Sequence, residues 1–204
     1  MPAPRRPSRR RVLNLQISRP GVSRPIAQPG GVALRSDSSP SVRRLTLHRV
    51  AVPLKKPVKH ASHERTVSEN LIVRVELDDG STGFGEGVPR DYVTGETIET
   101  TFEALAKADW PRAIGRPGSF AEVVKVLEGL SLAEIDADPR GMRGNAARCA
   151  LELAVLDAYG RHFGASLGEA VDIVQIEGLE RFANPRPVRY SAAITAESKR
   201  KEVV

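Results

Sequence analysis

At 204 residues and 40% hydrophobic content, the chain can build one domain with its own core, but it is too short for a complete (β/α)₈ barrel plus a second domain, since such a barrel alone takes about 250 residues. No apolar run approaches the ~18 residues of a membrane-spanning helix. The formal charge of +6 is unevenly placed: residues 1–44 hold ten Arg, no Lys and one acid, Asp37, for a balance of +9, whereas residues 45–204 hold 21 bases against 24 acids, a balance of −3.

The basic segment also carries seven of the fifteen Pro and seven Ser, with Val, Leu and Ile scattered singly. Such proline spacing leaves no obvious helical or strand period, so residues 1–41 read as a disordered Arg/Pro/Ser-rich tail. No continuous apolar stretch follows the Arg cluster, which argues against a secretory signal, and the prolines oppose the amphipathic helix of a transit peptide. The remaining readings are an inert tail, upstream sequence included by a misplaced start, a weak polyanion-binding arm or, last, a targeting segment. The single cysteine, Cys149, excludes an intramolecular disulfide and fits a reducing, cytoplasmic compartment. Its small-residue surroundings suggest a core hydrophobe rather than a nucleophile.

From Val42 the pattern becomes periodic. Leu45, Leu47, Val50 and Val52 form a first strand with a phase slip near His48 that suggests a bulge, and Pro53 is read as its end. Leu71, Val73, Val75 and Leu77 alternate as a half-buried strand, followed by Asp78-Asp79-Gly80-Ser81, a turn suited to type I′ geometry. Thr82–Val88 returns antiparallel with Gly83, Gly85 and Gly87 on one side. The prediction is a three-stranded meander with a long excursion, Leu54–Glu69, between its first two strands.

Helices are predicted next. Thr97–Ala108 is closed by Trp110-Pro111, and Ser119 with Glu122 forms a capping box ahead of an apolar stripe. A long helix spans about Asn145–Phe163, with Asn145 as cap, Gly164 as stop and a face of Ala146, Ala147, Ala150, Ala154 and Ala158 narrow enough for close approach. Leu167–Val174 reads as a short helix or loop, residues 182–187 as a connector, and Val188–Thr195 as a strand before the chain stops within an incipient helix.

Candidate chemistry is sparse. His60 and His63, three apart, precede Glu64 and Arg65, but the order does not match the metalloprotease helix motif, and no third ligand lies nearby. The segment reads instead either as a solvated loop or as a mobile recognition loop presenting His60, His63 and Arg65 to an anionic ligand. Gly83-Phe84-Gly85-Glu86-Gly87 mimics a phosphate loop, yet no helix start follows it, so its glycines serve close packing. Pro89–Glu96 is a loop rich in functional groups, with Arg90, Asp91, Tyr92 and Thr94. Residues 45–204 yield no catalytic triad, no metal-spaced carboxylate set and no poised Lys, so neither catalytic nor metal-ligating residues are assigned.

Asn70–Val75, Asp79–Glu86 and Asn145–Gly164, with Ala150-Leu151-Glu152-Leu153-Ala154-Val155-Leu156-Asp157 at its centre, carry a resemblance. Over about Val42–Thr195 the chain resembles the N-terminal capping domain of the enolase superfamily, in its mandelate racemase/muconate lactonizing enzyme branch. Pro89–Glu96 looks most like the dipeptide epimerases and o-succinylbenzoate synthases. The resemblance implies an α+β fold, enolase N-terminal-domain-like: a three-stranded antiparallel meander followed by a helical bundle. It implies a capping domain over residues 42–183 and, over 184–204, the first strand and part of the first helix of a TIM barrel.

In that family a Mg²⁺ ion on the barrel stabilises the enediolate formed by proton abstraction next to a carboxylate. The matching metal and base positions would fall beyond Val204. The expectation is therefore a truncated protein, from a gene fragment, a frameshift or an incomplete gene model, inactive by itself, whose full-length parent is a Mg²⁺-dependent isomerase, epimerase or lyase. Its lid loops, Leu54–Ser68 and Pro89–Glu96, would bring His60, His63, Arg65, Arg90, Tyr92 and Thr94 to a small carboxylate substrate once a barrel is supplied. An uncovered barrel-facing surface would promote self-association. Neither a membrane nor nucleic acid is the expected partner. The alternative reading is a stand-alone binding domain whose basic tail contacts polyanions or nucleic acid.

Overall fold

The computed structural model describes residues 13–18, 39–59, 64–132, 141 and 143–175. Four antiparallel strands pair in chain order: β1 (Leu13–Ser18), β2 (Val42–Lys59), β3 (Glu64–Leu77) and β4 (Thr82–Gly87). The helices are α1 (Ile98–Ala106), α2 (Trp110–Ile114), α3 (Phe120–Glu128), α4 (Asn145–Phe163) and α5 (Leu167–Val174). A meander followed by helices is the α+β order expected. Residues 182–187, Val188–Thr195 and the chain end, read above as a connector, a strand and an incipient helix, lie outside the described residues.

β1 corrects the reading of the tail as structureless throughout. Leu13-Asn14-Leu15-Gln16-Ile17-Ser18 alternates apolar and polar residues within the proline-free stretch between Pro7 and Pro20, and it pairs with β2 from Leu13↔Arg49 to Ser18↔Arg44. Pro53 does not end the next strand either. β1 covers only Arg44–Arg49, so beyond that point no described strand pairs with the outer edge of β2, and the strand runs on through Pro53 and Pro57 with a register shift between Pro53 and Val58. Proline is tolerated on such an edge because no ladder N–H is demanded of it. The supposed excursion is thus a two-stranded arm, with Pro53↔Val67, Val58↔Arg65 and Lys59↔Glu64 paired along it. The irregularity expected near His48 falls instead between Val42 and Arg44, and pairing is continuous from Arg44 to Pro53. The apolar phase changes at Val50 because the arm leaves the core there, which leaves Val52 and Val67 exposed.

The core lies between one sheet face and the helices. Leu45 and Leu47 of β2 and Leu71, Val73, Val75 and Leu77 of β3 are fully buried, against Ile98, Leu105, Val123, Leu151 and Val155 from the helices. Burial of each such side chain contributes roughly 1.5–3 kcal/mol. At the bulge end of β2, the buried Glu76 carboxylate receives Arg43 at 3.0 Å, Arg74 at 2.7 Å and Arg44 at 3.9 Å. Three cations thereby compensate one desolvated anion.

The β3–β4 turn is not type I′, which needs positive φ at both central residues; among the turn residues only Gly80 has it, at 95°. Instead Gly80 N–H donates to Leu77 O and Leu77 N–H to Ser81 O, a turn closed by a left-handed glycine. Asp79 braces it: Oδ1 accepts from Ser81 N–H at 2.9 Å, while Oδ2 accepts from the Ser81 hydroxyl and lies 2.6 Å from His162 Nδ1 on α4. Burial opposes ionisation of Asp79, but the bonds from Ser81 and His162 outweigh it and hold the carboxyl below its ordinary range.

The seam between β4 and α4 fixes the rest. A Cβ on Gly83 would stand 2.2 Å from Ala158 N, one on Gly85 2.1 Å from Ala150 O, and one on Gly87 2.1 Å from Ala146 O. Alternate strand residues are ~6.6 Å apart and helix residues four apart ~6 Å, so glycines at every second position meet alanines at every fourth. The glycines serve backbone approach, as their spacing suggested. α4 also reaches around β4: Phe84 N–H donates to Asp157 Oδ2 at 3.0 Å, and Cys149 Sγ lies 3.7 Å from Glu86 O. Cys149 is exposed rather than a core residue.

Several helix ends differ from expectation. Thr97 caps α1 in a reciprocal box with Thr100. Trp110-Pro111 begins the short helix α2, with Asp109 as its cap. Ser119 caps α3, but Glu122 turns back one residue further and accepts from Gly118 N–H. Leu167–Val174 is helical, and Gly164 ends α4 in the left-handed conformation as anticipated. Gly144, not Asn145, holds the N-cap position of α4.

Candidate functional site

The arm and the segment after β4 meet at one end of the sheet. Arg90, three residues beyond β4, donates from Nη1 to Glu69 O at 3.3 Å and to Pro89 O at 2.6 Å, and from Nη2 to Ser68 Oγ at 3.0 Å. The arm strand β3 supplies both Ser68 and Glu69, so a single guanidinium joins arm to loop. Partial burial lowers the Arg90 pKa from its ordinary value, with the nearby Arg65 charge acting in the same direction. On the arm, the Arg65 guanidinium stands over the Tyr92 ring, 5.9 Å from its centroid.

The loop backbone is a compact turn. Val93 and Thr94 N–H both donate to Arg90 O, Gly95 N–H donates to Asp91 O, and Gly95 takes φ 78°. Thr94 Oγ1 also donates to Arg90 O at 3.2 Å, so this predicted site residue shapes the turn. Arg65, Arg90, Tyr92 and Thr94 thus share one end of the molecule, while His60 and His63 lie outside the described residues.

Polar residues not anticipated surround the cluster. Arg49 Nη2 bridges Glu69 at 2.7 Å and Glu99 at 2.6 Å, which ties β2, β3 and α1 together. The Glu69 hydrogen bond, more than the opposing desolvation, raises the Arg49 pKa. Asn70 Nδ2 donates to Glu86 Oε1, and Ser68 Oγ to Asn70 Oδ1. Ser68, Glu69 and Asn70 are consecutive on the arm, but strand periodicity does not mark them as partners of a loop 20 residues away. Among the described residues no group of three or more His, Cys, Asp or Glu side chains could hold a metal ion. What the cluster does show is a loop ordered against the arm by Arg90.

A meander whose glycines pack on an alanine helix, with arm and loop joined at one end, defines an α+β domain of the enolase N-terminal type. Residues 42–171 match the family model of the mandelate racemase/muconate lactonizing enzyme N-terminal domain, and the chain belongs to that family. Among its relatives, the aromatic dipeptide epimerase of Herpetosiphon aurantiacus is 31% identical over 60% of this chain and 32% of its own length. The L-Ala-D/L-Glu epimerase of Bacillus subtilis is 30% identical over 61% and 31% of the two chains, and the o-succinylbenzoate synthase of the same organism 30% over 64% and 33%. The chain spans about a third of the length of these curated relatives. Among the described residues no helix is long and apolar enough to cross a membrane.

Proposed function

We propose that residues 42–183 act as the substrate-capping domain of an epimerase-type member of the family, with Arg65, Arg90 and Tyr92 facing the substrate. The supporting observation is the joint between arm and loop, where Arg90 bonds Ser68 Oγ and Glu69 O while Arg65 covers Tyr92. Two guanidiniums beside an aromatic ring suit a substrate bearing a carboxylate, since a cation in a partly desolvated site discriminates strongly for an anion. A lid of this kind orients the substrate and excludes water over a barrel that supplies the chemistry.

The full activity proposed is proton abstraction next to a carboxylate by a barrel domain carrying Mg²⁺. The described residues of this domain offer no ligand set for that ion. Their contribution is recognition. The test grafts Leu54–Ser68 and Pro89–Glu96 onto an intact dipeptide epimerase and compares kcat/KM across dipeptides with acidic, neutral and basic side chains. The expected result is a shift of about tenfold or more toward the acidic substrate. Unchanged preference overturns the reading.

A further inference from the structure

The loop that carries Arg90 and Tyr92 begins and ends on a single residue of α4. Gly87, the last residue of β4, lies so close to Ala146 that a Cβ would come within 2.1 Å of its carbonyl oxygen. At the other end of the loop, both carboxylate oxygens of Glu96 stand 3.2 Å from the Ala146 N–H, which donates to them. Glu96 is only 2% exposed, among the most deeply buried charged side chains described.

α4 has no cap of its own. Gly144 offers no side chain, the Asn145 amide turns away to donate to Gly141 O, and the first turn holds no acid. The exposed N–H groups and positive end of a 19-residue helix are therefore met by a carboxylate from 50 residues earlier in the chain. The buried Glu96 carboxyl group thus has a backbone donor and the positive end of a helix against it. Between Arg90 and Glu96 the backbone is stiffened by the bonds from Val93, Thr94 and Gly95, so fixing Glu96 also fixes Arg90.

We propose that Glu96 is a positioning residue: by capping α4 at Ala146 it clamps the far end of the Pro89–Gly95 turn and holds Arg90 and Tyr92 against the arm. The importance of this clamp for recognition rests on the capping function proposed above; the clamp itself does not. Hydrogen exchange followed by mass spectrometry on the full chain tests it without any substrate. Glu96→Ala should speed exchange about tenfold in residues 90–95 and in the first turn of α4, leaving β3 residues 71–77 unchanged.

Glu96→Gln, which keeps an acceptor, should return the loop to within about threefold of wild type. Acceleration spread equally over β3 would mean a general loss of stability and would overturn the proposal, as would a loop still protected in Glu96→Ala. If Glu96→Ala does not fold, Glu96→Asp, one methylene shorter, is measured instead: a loosened loop supports the clamp and full protection refutes it. A loop graft that leaves substrate preference unchanged removes the recognition role while leaving this outcome intact.

Discussion

The β4–α4 seam and the arm–loop cluster solve opposite problems with opposite residues. At the seam, side chains are reduced to hydrogen or methyl so that two backbones touch, and hypothetical Cβ atoms on Gly83, Gly85 and Gly87 fall 2.1–2.2 Å from helix backbone atoms. At the cluster, long polar side chains bridge a gap, and their ends stay wet: Arg49, Glu69 and Glu99 keep 33%, 43% and 56% of their side-chain surface exposed. Close packing has no slack, whereas exposed ion pairs contribute at most about 1 kcal/mol each. Stability is thus concentrated in the seam, and the arm and loop can change their chemistry at small cost to the fold.

The sharpest way to break this contrast is Gly85→Val. It drives a branched side chain into the Ala150 carbonyl and should destabilise the domain by about 3 kcal/mol or more, read as a fall in urea midpoint or outright loss of folding. A well-folded variant would mean that α4 can retreat from the sheet. Arg90→Ala should sit far below it. It removes the bonds to Ser68 and Glu69 O, and a cost under about 1 kcal/mol is expected, together with loss of the acidic-substrate preference in the loop graft.

The smallest effect concerns Asp79. Its carboxyl titrates below its unfolded value near 4, so the stabilisation it supplies is complete above that value and is lost as pH falls through the folded one. Its side chain is still 32% exposed, and after that solvent screening it contributes only a few tenths of a kcal/mol. Asp79→Asn should therefore lower the urea midpoint slightly at pH 6, and the gap should shrink as pH falls below the ordinary aspartate range. A constant gap across that range would assign the cost to packing.

What the sequence disclosed follows the range of each interaction. Alternation at Leu71, Val73, Val75 and Leu77, the glycines at every second position of β4 and the small-residue face of α4 are periodic signals; the structure confirms the strand and shows that the two small faces meet each other. Local spacing could not reveal that Glu96 caps a helix 50 residues on, nor that Arg49 bridges two acids on different elements. β1 was hidden for another reason: its six alternating residues sit within a proline- and arginine-rich composition that dominates any average over the tail. Pro53 and Pro57 misled because a proline ends a strand only where its missing N–H would be needed. For the candidate site, residue types and the lid loops of the resemblance singled out His60, His63, Arg65, Arg90, Tyr92 and Thr94, while Ser68 and Glu69, which join the arm to the loop, carried no signal of their own.

The edges of the sheet have a consequence for behaviour at high concentration. Unpaired strand edges act as templates on which further chains can stack. β4 offers little of one, because Asp157 takes the Phe84 N–H and Cys149 approaches the Glu86 carbonyl. Along the arm past Arg49, where β1 no longer covers β2, the edge carries Pro53 and Pro57, which donate nothing, and the exposed Lys55, Lys56 and Lys59, whose like charges repel an approaching copy. The arm can extend from the body of the domain without becoming a seed for fibrous assembly.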